Sequence, residues 1–387
     1  MPPKNQAAWI PAKKTRPLKV GDAPYTPPGP GQIVVKNGAV GINPFDWVLQ
    51  YVGPMMAPHL VYPMVLGTDV AGTVVEVGPG VTRFRVGDRV TGSSVSIAKE
   101  SGQAAEGGFQ LYTVMREYMV APTPAHVTDE QAAVLGLGLG TAAYGLFHKD
   151  YLALDMPQVP PLRNPRSPGK HPRAVIVTGG ASSVGSCAVQ LAASAGYEVL
   201  STSSPKNFAY VKGLGASHVF DYNSKTLVAD LVRALEGREL AGAFTIGAGA
   251  DQVCAAVMKE RLSKTPKLPT RKFIALAGGS GRDPKSLEGF MGTIRLMGGM
   301  MSMMGKNAVN TMLTGIEVKF VLIRGLVDPE SCVSHIYTDF LGPAMAEGQF
   351  VPAPEPQVVG RGLDKINEAL ELQKKGVSAK KIVVSLP

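Results

Sequence analysis

The stretch Arg173-Ala174-Val175-Ile176-Val177-Thr178-Gly179-Gly180-Ala181-Ser182-Ser183-Val184-Gly185 decides how the rest of the chain is read. Its apolar run, residues 174–177, is bounded by Pro172 and Gly179 and reads as a buried parallel strand. A tight glycine-rich turn follows, and then Val184, Ala188, Leu191 and Ala192 recur at helical spacing. Tyr197-Glu198-Val199-Leu200-Ser201-Thr202 supplies a second strand. Strand, turn, helix and strand within about 30 residues make a βαβ unit, so the chain is expected to contain a parallel, doubly wound sheet.

The turn has the physics of a pyrophosphate site. Small residues let the backbone come close to phosphates, and the N–H groups of the next helix point at them. The cofactor-contacting residues expected here are Ala181, Ser182, Ser183, Val184 and Gly185. Ser182 stands where a G-x-G-x-x-G pattern has its middle glycine, so the motif gains its weight from the strand–turn–helix context. The competing reading is a glycine-rich βα turn with no nucleotide. Beyond the second strand the chain reads Thr202-Ser203-Ser204-Pro205-Lys206-Asn207. No carboxylate is there to bind a ribose 2′-hydroxyl or repel a 2′-phosphate, and hydroxyls, an amide and Lys206 are there to hold one. The expected cofactor is therefore NADPH rather than NADH. The bland alternative makes Lys206 a solvated loop lysine.

At 387 residues the chain has room for two domains. It has no apolar run long enough to span a bilayer and opens Met1-Pro2-Pro3-Lys4 without an apolar signal core. Cys187, Cys254 and Cys332 are scattered, which suggests neither a disulfide framework nor a zinc cluster. A cytoplasmic protein is expected. The net charge of +9 is dispersed, with no basic run to argue for nucleic acid. A basic surface suits an anionic cofactor or an acidic carrier domain.

Residues 1–125 are rich in turns and short β-branched runs, as in a compact barrel. The pattern turns helical from about Asp129 to Lys149, with Thr128 or Asp129 as N-cap. Residues 156–173 carry six prolines and read as a linker or surface loop. Strands are then expected at 219–222, 243–246, 273–277 and 318–323, and helices at 210–214 and 226–236. Seven methionines fall in residues 291–312, which suits an adaptable substrate wall, a subunit contact or ordinary helix packing. A helix at 363–375 and a strand at 381–384 close the chain.

Four ordered motifs resemble the medium-chain dehydrogenase/reductase superfamily over nearly the whole chain. They are Gly41-Ile42-Asn43-Pro44-Phe45-Asp46, Leu66-Gly67-Thr68-Asp69-Val70-Ala71-Gly72, Val86-Gly87-Asp88-Arg89-Val90 and the Ala181–Gly185 turn. The resemblance implies an α/β protein: a GroES-like β-rich domain, residues 1–150 with 329–387, around an inserted Rossmann domain, residues 151–328. Zinc alcohol dehydrogenases of that superfamily carry a ligand cysteine at the position of Asn43, a ligand histidine at Thr68 and a second cysteine near Leu137. Catalytic zinc needs about three protein ligands, and no metal is expected here.

Within the superfamily the chain is most similar to fungal trans-acting enoyl reductases that serve polyketide synthases. The shared segments are Ile42-Asn43-Pro44, Leu66-Gly67-Thr68-Asp69, Ser204-Pro205-Lys206-Asn207-Phe208 and Val219-Phe220-Asp221-Tyr222. It departs from the lovastatin-pathway enzyme at Val48, where that enzyme has lysine. The resemblance implies NADPH held by Phe45, Asp46, Trp47 and Val48, by the 181–185 turn, by Ser204, Pro205, Lys206, Asn207 and Tyr222, and by Leu276, Ala277, Ala379 and Lys380. Thr141, Ala142, Ala143 and Tyr144 would line the substrate side.

The chemistry so implied is conjugate reduction of an activated C=C, with NADPH supplying hydride and the protein stabilising charge on oxygen. Asn43 and Thr141 are the catalytic candidates, and Tyr51 and Tyr144 are possible proton donors. The expected partners are a small-molecule or acyl-thioester substrate and a polyketide synthase carrier domain, with the chain a monomer or homodimer. Two alternatives stay open: a quinone oxidoreductase, and an NADPH-binding structural or sensor protein of low turnover.

Overall fold

The computed structural model describes residues 3–161, 171–278, 289–323 and 327–387. A six-stranded, wholly parallel sheet runs in the order His218–Asp221, Glu198–Ser203, Arg173–Val177, Glu239–Ile246, Phe273–Gly278, Glu317–Phe320. The strand Arg173–Val177 starts it. The next two strands go to one side and the following ones to the other, so the order reverses beside Arg173–Val177. Ligands of open α/β sheets bind outside the carboxyl ends of the strands at such a reversal.

The helix Ser183–Ser194 follows directly and packs by its buried Cys187, Ala188, Leu191 and Ala192. Ser182 caps it: the Ser182 hydroxyl accepts the Gly185 N–H at 3.0 Å. The helix Phe208–Gly213 and the helix Leu227–Ala234 fall close to their expected places. The expected proline-rich loop lies largely outside the described residues.

The second body is a mostly antiparallel sheet of seven strands. Gln32–Gly41 is its hub and pairs with Asp69–Val77, Tyr112–Arg116 and Lys380–Ser385. The last of these brings the chain terminus back beside strands from the first third of the sequence, and Glu355–Arg361 pairs with it in parallel. A three-stranded sheet of Lys19–Ala23, Asn5–Ile10 and Met64–Val65 covers one side. The helix Pro44–Met56 interrupts the β-rich region.

The helix Gly136–Phe147 joins the two bodies. Its residues Leu139, Ala142, Ala143 and Leu146 share one hydrophobic core with Ala39 and Ala71 of one body and Val175 and Val177 of the other. Of the methionine-rich segment, the structure describes the helix Gly289–Thr314, on which Met297, Met301 and Met312 are exposed. The side chains of Met291, Met300, Met303 and Met304 lie outside the described residues. No described helix is long and apolar enough to cross a membrane.

Candidate active site

The expected pyrophosphate turn sits at the reversal point. Thr178 locks the ends of two neighbouring strands: its hydroxyl donates to the Ile246 carbonyl at 2.9 Å and accepts the Ile246 N–H at 2.7 Å. A Cβ on Gly185 would lie 2.1 Å from the Gly179 carbonyl, so the helix closes on the turn only because that residue is glycine. Ser182 is used internally, accepting from Gly185 and donating to the Gly179 carbonyl at 2.8 Å. The Ser183 Oγ is buried with no hydrogen-bond partner. An orphaned hydroxyl at the first turn of a helix is a group that lacks its acceptor, and a phosphate oxygen is such an acceptor. The turn fits a dinucleotide.

The residues expected at the far end of that cofactor are also neighbours. Ser203 pairs with Asp221 across two adjacent strands, which sets Ser204 and Tyr222 side by side at their carboxyl ends. Tyr222 is 54% exposed, and Pro205 and Lys206 are exposed as well. The Asn207 amide donates to Ser204 Oγ at 3.1 Å and to Ser378 Oγ at 3.3 Å, tying this loop to the segment before Ala379. Ala379 itself takes a left-handed φ of 51°. Lys380 spends its ammonium on Glu355. Leu276 is buried in its strand and Ala277 is half-buried beside it.

On the helix Pro44–Met56, Phe45 and Val48 are half-buried. Trp47 is buried and donates its indole N–H to Gln373 at 2.6 Å. Tyr51 packs edge-on against Trp47, with the Arg16 guanidinium 3.7 Å above its ring. On the joining helix Thr141 is partly accessible, whereas Ala142, Ala143 and Tyr144 turn their side chains to the core. Tyr144 stacks on His148 at 4.3 Å.

Asn43 belongs to a buried polar cluster. Its backbone N–H donates to Asp46 at 2.8 Å, and its amide donates to Asp69 Oδ1 at 2.9 Å. The other Asp69 oxygen pairs with the Lys381 ammonium at 2.7 Å, and Lys381 also donates to the Asn43 carbonyl oxygen. Asp69 Oδ1 further accepts the Leu137 N–H at 2.7 Å, which caps the first turn of the joining helix. A Cβ on Gly136 would lie 2.3 Å from that same carboxylate oxygen. On Gly138 it would lie 2.7 Å from Ser183 Oγ, so this helix start touches both the cluster and the dinucleotide turn. Tyr337 braces the start from the other side, donating to the Gly136 carbonyl at 3.2 Å.

Burial dominates the electrostatics. It pushes the Asp46 carboxyl up to about 7; the Asp69 charge adds to this, and the Asn43 and Gly67 N–H groups and Lys381 oppose it. Cys187, facing Lys381 and Asp69, is pushed up to about 12 by burial. Sequence reading placed Asp46 at the cofactor and missed Lys381 and Tyr337. The available signal for Lys381 was a lysine inside an otherwise apolar strand, Lys381-Ile382-Val383-Val384.

Fold and turn together define an oxidoreductase fold of the nicotinamide dinucleotide-dependent kind. Residues 29–125 match the alcohol dehydrogenase GroES-like domain. The chain is 46% identical over 386 residues to the dehydrogenase pigH of Monascus ruber, covering 99% of this chain and all of that one. It is 34% identical over 384 residues to the trans-enoyl reductase himH of Aspergillus japonicus, covering 99% of this chain and 97% of that one. The solved CurK enoyl reductase superposes with a TM-score of 0.66 at 18% identity, covering 99% of each chain, a likeness of fold. The chain belongs to the medium-chain dehydrogenase/reductase superfamily.

Proposed function

We propose that the chain is an NADPH-dependent, zinc-independent reductase of activated C=C bonds, with an enoyl thioester or enone as substrate. Under this proposal it acts in trans on intermediates carried by a polyketide synthase. The observation that carries the reading is the side-chain set at three positions of the β-rich body and the joining helix. The three positions that hold zinc in the alcohol dehydrogenases are Asn43, Thr68 and Leu137 here. Asn43 spends its amide on Asp69 and Lys381 instead. Among the described residues no group of three or more His, Cys, Asp or Glu side chains is arranged to hold a metal. The relative himH, named a trans-enoyl reductase, supports the substrate class.

A bound NADPH supplies the hydride. The 181–185 turn and the helix behind it would hold the pyrophosphate, and Lys206, with Ser204 and Asn207, would hold the 2′-phosphate. Thr141, partly accessible on the joining helix, orients the substrate carbonyl as a neutral donor. An enolate spreads its charge over oxygen and carbon, so modest donors lower its energy usefully. A saturated ketone leaves a localised alkoxide, which calls for a Lewis acid.

The test is NADPH oxidation with matched pairs, an α,β-unsaturated thioester or ketone against its saturated counterpart, with product analysis. Reduction of the alkene alone is expected. Conversion of the saturated carbonyl to an alcohol at a comparable rate would overturn the reading, and turnover of quinones alone would make the chain a quinone oxidoreductase.

A further inference from the structure

The basic charge is less evenly spread than sequence reading took it to be. Residues 1–21 carry five Lys or Arg side chains and residues 372–387 carry four, and neither segment holds an Asp or Glu. These two segments therefore account for the whole net charge of +9.

The fold brings them together. The Leu18 N–H donates to Asn367 Oδ1 at 2.9 Å, and the Leu18 carbonyl accepts the Asn367 amide at 2.9 Å. This fastens the 11–18 loop to the helix Lys365–Lys375. Residues seven apart share a helix face, so Lys374 lies on the side that Asn367 presents to the loop. The Arg16 guanidinium sits 3.7 Å from the centre of the Tyr51 ring, and the Lys374 ammonium lies 5.4 Å from the same centre. Lys13 and Lys14 occupy the turn just before Arg16, closed by the Thr15 N–H donating to the Ala12 carbonyl at 3.2 Å. Lys375 follows Lys374 at the helix end. Lys380 and Lys381 take no part, being spent on Glu355 and Asp69. Lys374 pairs with Glu371, whereas Lys13, Lys14 and Lys375 are exposed and make no ion pair among the described residues.

We propose that Lys13, Lys14, Arg16, Lys374 and Lys375 form the docking surface for the acidic carrier domain that presents the acyl thioester. This rests on the reading of the chain as a reductase acting in trans on carrier-bound intermediates. Like charges gathered on one surface repel, and an acidic partner turns that repulsion into attraction. The Tyr51 ring holds the Arg16 guanidinium, so less of its freedom is lost on binding. An extended acidic surface fits better than a single phosphate, because the five cations are spread over a loop and a helix end. The patch also adjoins the residues proposed to hold the cofactor. Tyr51 stands one turn beyond Val48 on the helix Pro44–Met56. Lys375 stands three residues before Ser378, whose Oγ accepts the Asn207 amide at 3.3 Å.

The experiment compares wild type with Lys13→Glu/Lys14→Glu/Lys375→Glu and with Lys13→Arg/Lys14→Arg/Lys375→Arg, which keeps the charge. Two substrates are used: a crotonyl thioester on an acyl carrier protein of net negative charge, and crotonyl-pantetheine, which has no protein attached. Circular dichroism checks folding, and nicotinamide fluorescence reads NADPH affinity. In the Glu variant at low salt, KM for the carrier-bound thioester should rise about tenfold or more. Its KM for crotonyl-pantetheine, its kcat and its NADPH affinity should stay as in wild type, and the Arg variant should match wild type throughout. In wild type alone, added salt should raise KM for the carrier-bound thioester and leave crotonyl-pantetheine unchanged; this arm decides even if the Glu variant does not fold. An unchanged KM for the carrier-bound thioester in a folded Glu variant, or no salt dependence in wild type, would overturn the proposal. An equal rise for both thioesters with weaker NADPH would overturn it too, and would make the patch a steering field for the cofactor. A wild type that reduces crotonyl-pantetheine but gains nothing from the carrier removes the docking site and leaves the alkene reductase standing. A wild type that reduces neither removes both.

Discussion

Replacing Asp46 by Asn should make the protein more stable at pH 8 and leave it nearly unchanged at pH 4. The Asp46 carboxyl is buried, accepts the Asn43 N–H at 2.8 Å, and is held up to about 7 against an ordinary value of 3.8. In the unfolded chain it ionises near its ordinary value. Below that pH both states carry the proton, and the group's contribution to stability is fully present. Between the two values the unfolded state gives up its proton while the folded state keeps it, so stability falls as pH rises, and it levels off above about 7. At about 1.4 kcal/mol per pH unit, the loss reaches at most about 4 kcal/mol. Asn mimics the protonated carboxyl, accepts the same N–H and does not titrate. The gap between variant and wild type should therefore open from near zero at pH 4 toward a few kcal/mol at pH 8. Urea denaturation followed by circular dichroism across that range measures it, and comparing two proteins at each pH cancels the other carboxylates. A gap that stays constant with pH would refute the reasoning, because it would mean that Asp46 ionises alike in both states.

Two further outcomes are expected. Lys206→Ala should weaken NADPH by roughly tenfold to a hundredfold and NADH little, since a charged hydrogen bond is worth about 1.5–3 kcal/mol and only NADPH has the 2′-phosphate; titration by nicotinamide fluorescence decides, and an equal loss for both cofactors would place Lys206 away from the phosphate. Metal analysis of purified protein should find zinc well below one equivalent per chain, with activity insensitive to chelators, because Asn43, Thr68 and Leu137 offer no zinc ligand set; one tightly bound zinc needed for turnover would contradict this.

What was legible in the sequence was local. The strand, turn and helix of residues 173–194 follow from an apolar run, close-packed glycines and a capping serine, all within one short segment. The helix Pro44–Met56 was not read, although Asn43 and Pro44 form a good helix start with Asp46 in the first turn. It lies in a region whose glycines and β-branched runs speak for strands. The helix Ala250–Lys264 was missed for a different reason. Its buried face is built from Cys254, Val257, Met258 and an arginine, Arg261, so hydrophobic periodicity gives it no voice. Arg261 sits there because its guanidinium caps carbonyls, reaching Leu235 at 2.7 Å, a contact that only the tertiary fold creates.

The buried cluster around Lys381 lies beyond local reading altogether. Lys381 and Asn43 stand 338 residues apart, and nothing near either position announces the other. Yet the cost of burying an ammonium constrains the chain strongly. An isolated charge loses several kcal/mol of hydration when it leaves water, and a single carboxylate returns that only with good geometry. Asp69 can serve Lys381 because it is itself braced by Asn43 and Leu137, and Asp46 can lie close by because it keeps its proton up to about 7. A second full negative charge would unbalance the pair. The cluster is therefore one unit: changing Asn43, Asp69 or Lys381 alone leaves a buried partner unmatched. Their effects on stability and turnover should then couple strongly rather than add.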